Sequence, residues 1–80
     1  MKSEKTVVSL KNYGKVHLKL NELLDERGMT RNYLARLVNT RFEVIDRWYQ
    51  GAVDSLDLDI LARICFVLDC EVEDIIEFRK

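Results

Sequence analysis

The stretch from Met29 to Gly51 constrains the fold most, because it holds two short apolar stripes separated by only a few polar residues. Thr30 stands where an N-cap belongs, and the apolar residues after it have the spacing of one buried helix face. These residues are Leu34, Ala35, Leu37 and Val38. Asn39 follows, a residue type that tolerates the left-handed backbone conformation. The pattern therefore predicts a helix of about two turns that ends near Asn39.

A second short helix is predicted directly afterwards. Thr40 is a candidate cap, Gly51 is a stop signal, and the apolar stripe between them consists of Val44, Ile45, Trp48 and Tyr49. Two short helices joined by so short a turn cannot lie antiparallel with full contact, so they cross steeply as a helix-turn-helix. The small Ala35 allows close approach at the crossing. We therefore expect Trp48 to be largely buried between the helices.

The other side of the second helix is polar and free to contact a partner. Four polar residues recur at helical spacing, and Arg41 and Phe42 flank them at the start of the helix. The four are Glu43, Asp46, Arg47 and Gln50. This polar side therefore carries both positive and negative charges.

Apolar spacing predicts three further helices around this pair. Leu20, Leu23 and Leu24 mark the first, which Arg27 and Gly28 end. A long apolar helix begins near Leu58 and carries Cys65, with Ser55 or Asp57 as its cap. A last short helix is marked by Val72, Ile75, Ile76 and Phe78. The predicted fold class is therefore all-α, with five short helices.

The N-terminal part has a different pattern. The segments 6–10 and 15–20 are rich in β-branched residues or alternate between polar and apolar, and a turn-like Lys-Asn-Tyr-Gly separates the first from the second. They predict a β-hairpin, with a disordered arm and an earlier start of the first helix as the rival interpretation. We accordingly divide the chain into an arm or hairpin over 1–17 and a helical domain over 18–80. Eighty residues otherwise suffice for one small domain.

The order of these elements resembles the lambda-repressor-like, or Xre and Cro, helix-turn-helix family of small single-domain transcriptional regulators. The resemblance covers roughly residues 18–78. It is carried by Gly28-Met29-Thr30, Leu34-Ala35-Arg36, the Ile45-x-x-Trp48-x-x-Gly51 spacing, Leu58-x-x-Leu61, and Leu56-Asp57-Leu58-Asp59 before the fourth helix. The chain departs from the family at Asn39, at Thr40-Arg41, and in the loop 52–55, where relatives often carry basic residues.

The resemblance implies sequence-specific binding of double-stranded DNA, with helix 41–50 in the major groove. Arg31 would then meet phosphate at the start of the preceding helix. Side-chain chemistry makes guanine or phosphate the partner of Arg41 and Arg47, and adenine or phosphate the partner of Gln50. Phe42 would pack on a thymine methyl group. The whole predicted DNA-binding set is Arg31, Arg41, Phe42, Glu43, Asp46, Arg47 and Gln50.

The acidic members of that set leave a second function open. Glu43 could accept a hydrogen bond from cytosine, yet Glu43 and Asp46 also repel phosphate. The alternative is a protein-interaction module of the same fold, antitoxin-like or subunit-bridging, with weak affinity for DNA. The charge distribution favours DNA: residues 1–50 hold ten Lys and Arg against six Asp and Glu, whereas residues 51–80 hold three against eight. An ordinary solvated surface would explain the same asymmetry.

The sequence indicates no enzyme. It lacks a glycine-rich phosphate loop, a nucleophile elbow and a Cys/His cluster, so we expect no cofactor and no metal. Cys65 and Cys70 are interpreted as buried thiols, and His17 as a surface residue. The chain shows neither a signal peptide nor a stretch of about 20 apolar residues that could cross a bilayer, so a cytoplasmic location is expected.

We also expect a homodimer, because one recognition helix covers only about 4–5 base pairs and a symmetric pair would double the contact. The interface is predicted in the acidic, apolar C-terminal part, with Ile76 and Phe78 as candidates. Pairing of an edge strand at Val7 and Val8 is the alternative.

Overall fold

The computed structural model describes residues 13–80, which form four α-helices and a small antiparallel sheet. In chain order the elements are β1 (Lys15–Leu18), α1 (Leu20–Arg27), α2 (Arg31–Leu37), α3 (Phe42–Gln50), α4 (Leu58–Leu68), a 3₁₀ turn (Val72–Asp74) and β2 (Ile76–Arg79). The helix-turn-helix predicted from the central stretch is α2 and α3.

The helix ends follow the local signals of the sequence at most positions. The Thr30 hydroxyl accepts a hydrogen bond from the Tyr33 amide at 3.1 Å, and Asp57 caps α4 through the amides of its first turn. Gly51 ends α3 with a φ of 72°, in the left-handed region. Thr40 was the predicted cap of α3, and this prediction is wrong. The N-cap residue is Arg41, one position later, and it makes no side-chain capping bond.

The core lies where the four helices meet. Trp48 is 3% exposed and Ile45 is fully buried on α3, which confirms the predicted packing of this helix. Every buried residue in the described part of the chain is apolar, so the core holds no polar group that needs a partner. Its members are Leu20, Leu23, Leu24, Leu34, Ala35, Val38, Ile45, Trp48, Ile60, Leu61, Ile64, Leu68 and Ile75.

The prediction of a fifth helix is wrong. Val72–Asp74 is only a 3₁₀ turn, in which the Asp74 carboxylate accepts a hydrogen bond from the Glu71 amide at 2.9 Å. The chain then extends into β2. Ile75, Ile76 and Phe78 have helical spacing, but the run from Ile76 to Arg79 also alternates between apolar and charged residues. The strand prevails because β1 supplies its hydrogen-bonding partner.

The predicted strand near residues 15–20 exists, but within the described residues its partner is the C-terminus. β1 pairs with β2 so that Leu18 lies opposite Ile76 and Val16 opposite Phe78. The first pair packs against the core, whereas Val16 and Phe78 are more than half exposed. The other predicted strand, 6–10, lies outside the described residues, as does the edge at Val7 and Val8.

The longest helix, α4, leaves one apolar side uncovered. Its 11 residues include Phe66, which is 87% exposed, and Leu58, which is 74% exposed. A shallow depression of about 430 Å³ lies beside Phe66, lined by Leu37, Val38 and Val67 among others. Across residues 13–80, no helix combines the length and apolarity needed to cross a membrane.

Replacing Trp48 by Ala should lower the free energy of unfolding by about 3–5 kcal/mol, because a large buried side chain leaves a cavity. Tyr33→Ala, which truncates an exposed aromatic residue, should change it by about 1 kcal/mol or less. Urea denaturation of both variants measures the difference. Equal midpoints for the two variants would contradict this account of the core.

Candidate nucleic-acid interface

The exposed side of α3 consists of two neighbouring stripes with different surroundings. Glu43, Arg47 and Gln50 are exposed and point away from the domain. Phe42, Asp46 and Tyr49 form the second stripe, which turns toward the first residue of α2. Asp46 is consequently half-buried, although the sequence pattern had placed it with the outward residues. The outward stripe is the part of α3 that can contact a partner.

Arg31, the first residue of α2, is held against α3 by three contacts. Its Nη1 lies 2.7 Å from Oδ1 of Asp46, an ion pair and hydrogen bond in one. Its guanidinium carbon lies 4.7 Å from the centre of the Tyr49 ring and 5.8 Å from that of Phe42. These are distances at which a cation is attracted to an aromatic face. The predicted phosphate-binding arginine therefore already has an intramolecular partner.

Tyr49 connects this group to α1. Its hydroxyl donates a hydrogen bond to Oδ1 of Asp25 at 2.8 Å. That bond, aided by partial burial and by the negative charge of Asp25, raises the pKa of Tyr49 above the ordinary value for a phenol, while the Arg31 charge acts in the opposite direction. Asp25, Tyr49, Arg31 and Asp46 thus form a continuous polar chain across three helices.

The turn between α2 and α3 is fixed by the backbone and by a side chain from α4. Asn39 has a φ of 57°, the left-handed conformation that its position predicted. Nη1 of Arg63 donates to the carbonyl oxygens of Val38 at 3.0 Å and of Asn39 at 3.2 Å. Oδ2 of Asp59, one helical turn earlier, forms an ion pair with the same guanidinium at 2.6 Å from its Nη2. The turn that orients α3 is therefore tied to the core helix.

The remaining predicted site residues lie at the exposed start and middle of α3. Arg41 and Arg47 are exposed, and neither has an ion-pair partner within residues 13–80. Phe42 is 40% exposed beside Arg31. Sequence reasoning missed Tyr49, Asp25 and Arg63 as parts of this region. The signal in the sequence that could have pointed to one of them is the i, i+4 spacing of Asp59 and Arg63, which favours an ion pair on a helix.

The two cysteines and the histidine add no chemistry to this surface. Cys65 and Cys70 are free thiols that are partly buried against the core. Burial, reinforced by the neighbouring Cys65, raises the pKa of Cys70 to about 11, so its reactive thiolate is scarce at neutral pH. In the part of the chain that the structure describes, no three His, Cys, Asp or Glu residues gather into a group that could hold a metal ion.

Comparison with known proteins agrees with this geometry. The sequence profile of the Cro/C1-type helix-turn-helix DNA-binding domain matches residues 19–80. A solved structure from Bacteroides fragilis, described provisionally as a DNA-binding protein, superposes with a TM-score of 0.70 at 21% sequence identity. The match covers 79% of this chain and the whole of that one, and at this identity it shows a shared fold. A search of curated proteins gave no match.

The bond between Tyr49 and Asp25 should be visible in a pH titration. Asp25→Asn should lower the pKa of Tyr49, because a neutral amide stabilises the neutral phenol less than a carboxylate does. Glu26→Gln removes the same charge from an exposed neighbouring position and serves as the control. The ring carbon signals of Tyr49, followed by NMR as the pH changes, give the pKa of Tyr49 in both variants. An equal effect of the two substitutions would contradict the direct hydrogen bond.

Proposed function

The chain belongs to the Cro/C1-type helix-turn-helix DNA-binding domain family, and on that premise we propose that it is a sequence-specific transcriptional regulator of prokaryotic or phage type. It binds double-stranded DNA with α3 in the major groove. The observation that carries this proposal is the outward stripe of α3, where Glu43, Arg47 and Gln50 are exposed on a helix whose other side is buried. The protein acts by binding in the cytoplasm, without catalysis or cofactor.

The side chains of α3 divide into roles by their chemistry. Arg47 and Arg41 are the cations of this surface with no ion-pair partner within residues 13–80, and they bond guanine or phosphate. Gln50 bonds adenine or phosphate, Glu43 accepts from cytosine, and Phe42 packs on a thymine methyl group. Arg31 lies at the phosphate-facing start of α2.

A protein-interaction module remains the second candidate, and one observation favours it. Phe66 and Leu58 expose a large apolar area on α4, which a partner protein would cover. The loop after α3 also carries Asp54 where phosphate contact would favour a basic residue. Measured affinity for DNA separates the two candidates.

Arg41→Ala and Arg47→Ala should each weaken binding to a selected duplex. We expect a loss of about 1–3 kcal/mol where the arginine is bidentate to a base, or of about one unit of salt slope where it meets phosphate. Lys15→Ala removes an exposed positive charge from β1 and is the control. Fluorescence anisotropy at several salt concentrations measures all three.

Glu43→Gln should change the preferred base, which repeated selection from a random library would reveal.

In the arginine experiment, binding that is equally weakened by Lys15→Ala and by the α3 variants would point to diffuse electrostatic attraction. Unchanged binding in both arginine variants at low salt would exclude α3 as the contact helix.

We further propose that the protein is a homodimer, since two copies on a palindrome double the number of bases contacted. The uncovered side of α4 supports this, because Phe66 stands beside an apolar depression and each copy could place Phe66 in the depression of the other. Of the C-terminal residues predicted at the interface, Ile76 packs against the core, whereas Phe78 is 59% exposed.

Two matched substitutions distinguish these surfaces. Phe66→Ser should shift the mass in solution at micromolar concentration toward the monomer, because it removes the apolar group that each copy would bury, whereas Phe78→Ser should leave the mass unchanged. Light scattering with and without a selected duplex gives both values. A monomeric parent protein in both conditions would remove the dimer proposal and strengthen the protein-interaction candidate.

A further inference from the structure

We propose that Asp46 reduces the affinity of the protein for DNA of unselected sequence by holding Arg31 in an ion pair with which phosphate must compete. Asp46 then sets the selectivity of the site without bonding a base. The inference rests on the proposed DNA-binding function and names a regulating residue within that surface.

The geometry places the two charges in direct contact at the edge of α3. Nη1 of Arg31 lies 2.7 Å from Oδ1 of Asp46, and the two side chains are 37% and 34% exposed. The Tyr49 and Phe42 rings hold the guanidinium beside the carboxylate. Arg31 is therefore kept in place from several directions, while part of it remains open to solvent.

A phosphate approaching Arg31 would meet both charges together. One of the guanidinium donors is already used by Asp46, and the carboxylate within hydrogen-bonding distance repels the phosphate while the arginine attracts it. The field of the pair therefore nearly cancels at the phosphate. Fewer counterions are released when such a neutralised arginine meets DNA, and that release drives binding without sequence preference.

The other charges on α3 lack such a partner. Arg41, Glu43 and Arg47 form no ion pair with any residue of the described range 13–80. The contrast between Asp46 and Glu43 matters most, because both are acidic residues of one helix and only Asp46 is bound to a cation. Substituting each in turn separates the release of Arg31 from the general loss of a negative charge.

Asp46→Asn should increase affinity for a duplex of random sequence by about 5–10-fold at 0.1 M salt and steepen the salt dependence by about 0.9, the value for one more phosphate contact. Glu43→Gln removes the same charge and should give a smaller gain without that change in slope. Affinity is measured by anisotropy across a series of salt concentrations, with thermal melts to confirm that each variant is folded.

The Arg31→Gln substitution completes the cycle. On its own it should lower affinity for the random duplex, because the charge of Asp46 is then uncompensated and repels phosphate, and combined with Asp46→Asn it should abolish the gain. A wild-type protein that binds DNA while Asp46→Asn gains no more than Glu43→Gln would overturn this inference alone. Failure of the wild type and of every variant to bind any duplex at low salt would overturn the proposed function and the inference with it.

Discussion

The crossing of α2 and α3 is the constraint on which the rest of the structure depends. Ala35 is almost fully buried there, and its small side chain lets Ile45 and Trp48 fill the crossing. The short turn closes with Asn39 in the left-handed conformation, and the Thr40 amide donates to the Ala35 carbonyl at 2.9 Å. Because the crossing is fixed in this way, the outward stripe of α3 has one orientation relative to the domain. A larger residue at position 35 would push the helices apart and move every side chain of that stripe.

The sequence was sufficient for those parts of the fold that depend on local signals. The four α-helices were predictable because each has an apolar stripe at helical spacing together with a capping or stop residue, such as Thr30, Asp57 or Gly51. The C-terminal segment was not, since Ile75, Ile76 and Phe78 satisfy helical and strand patterns alike. Its structure was decided by β1, about 60 residues earlier in the chain. A distant strand leaves no mark on the local pattern of its partner.

The candidate site shows the same division between local and distant information. Sequence spacing identified the exposed residues of α3, because helical periodicity alone determines which side they share. It could not assign Asp46 to Arg31 or Tyr49 to Asp25, since those contacts cross between helices and depend on the angle at which the helices pack. The cap of α3 was misplaced by one residue for a related reason. Thr40 is the better capping residue in isolation, but closure of the turn begins the helix after Arg41.

The negative net charge of the chain does not oppose a contact with DNA, because charges act over short distances in salt solution. The Debye length is about 8 Å at physiological ionic strength, and a single helix with its side chains is already about 10–12 Å across. An acidic residue more than a Debye length away from a phosphate is therefore largely screened from it. Charges on the contacting surface decide its affinity instead. On the proposed contact surface the exposed Arg41 and Arg47 lie near the exposed Glu43 in the sequence of α3, while Arg31 is paired with Asp46. In the proposed complex with DNA, attraction without sequence preference is therefore small, and hydrogen bonds to bases supply a larger part of the affinity than in a strongly basic protein.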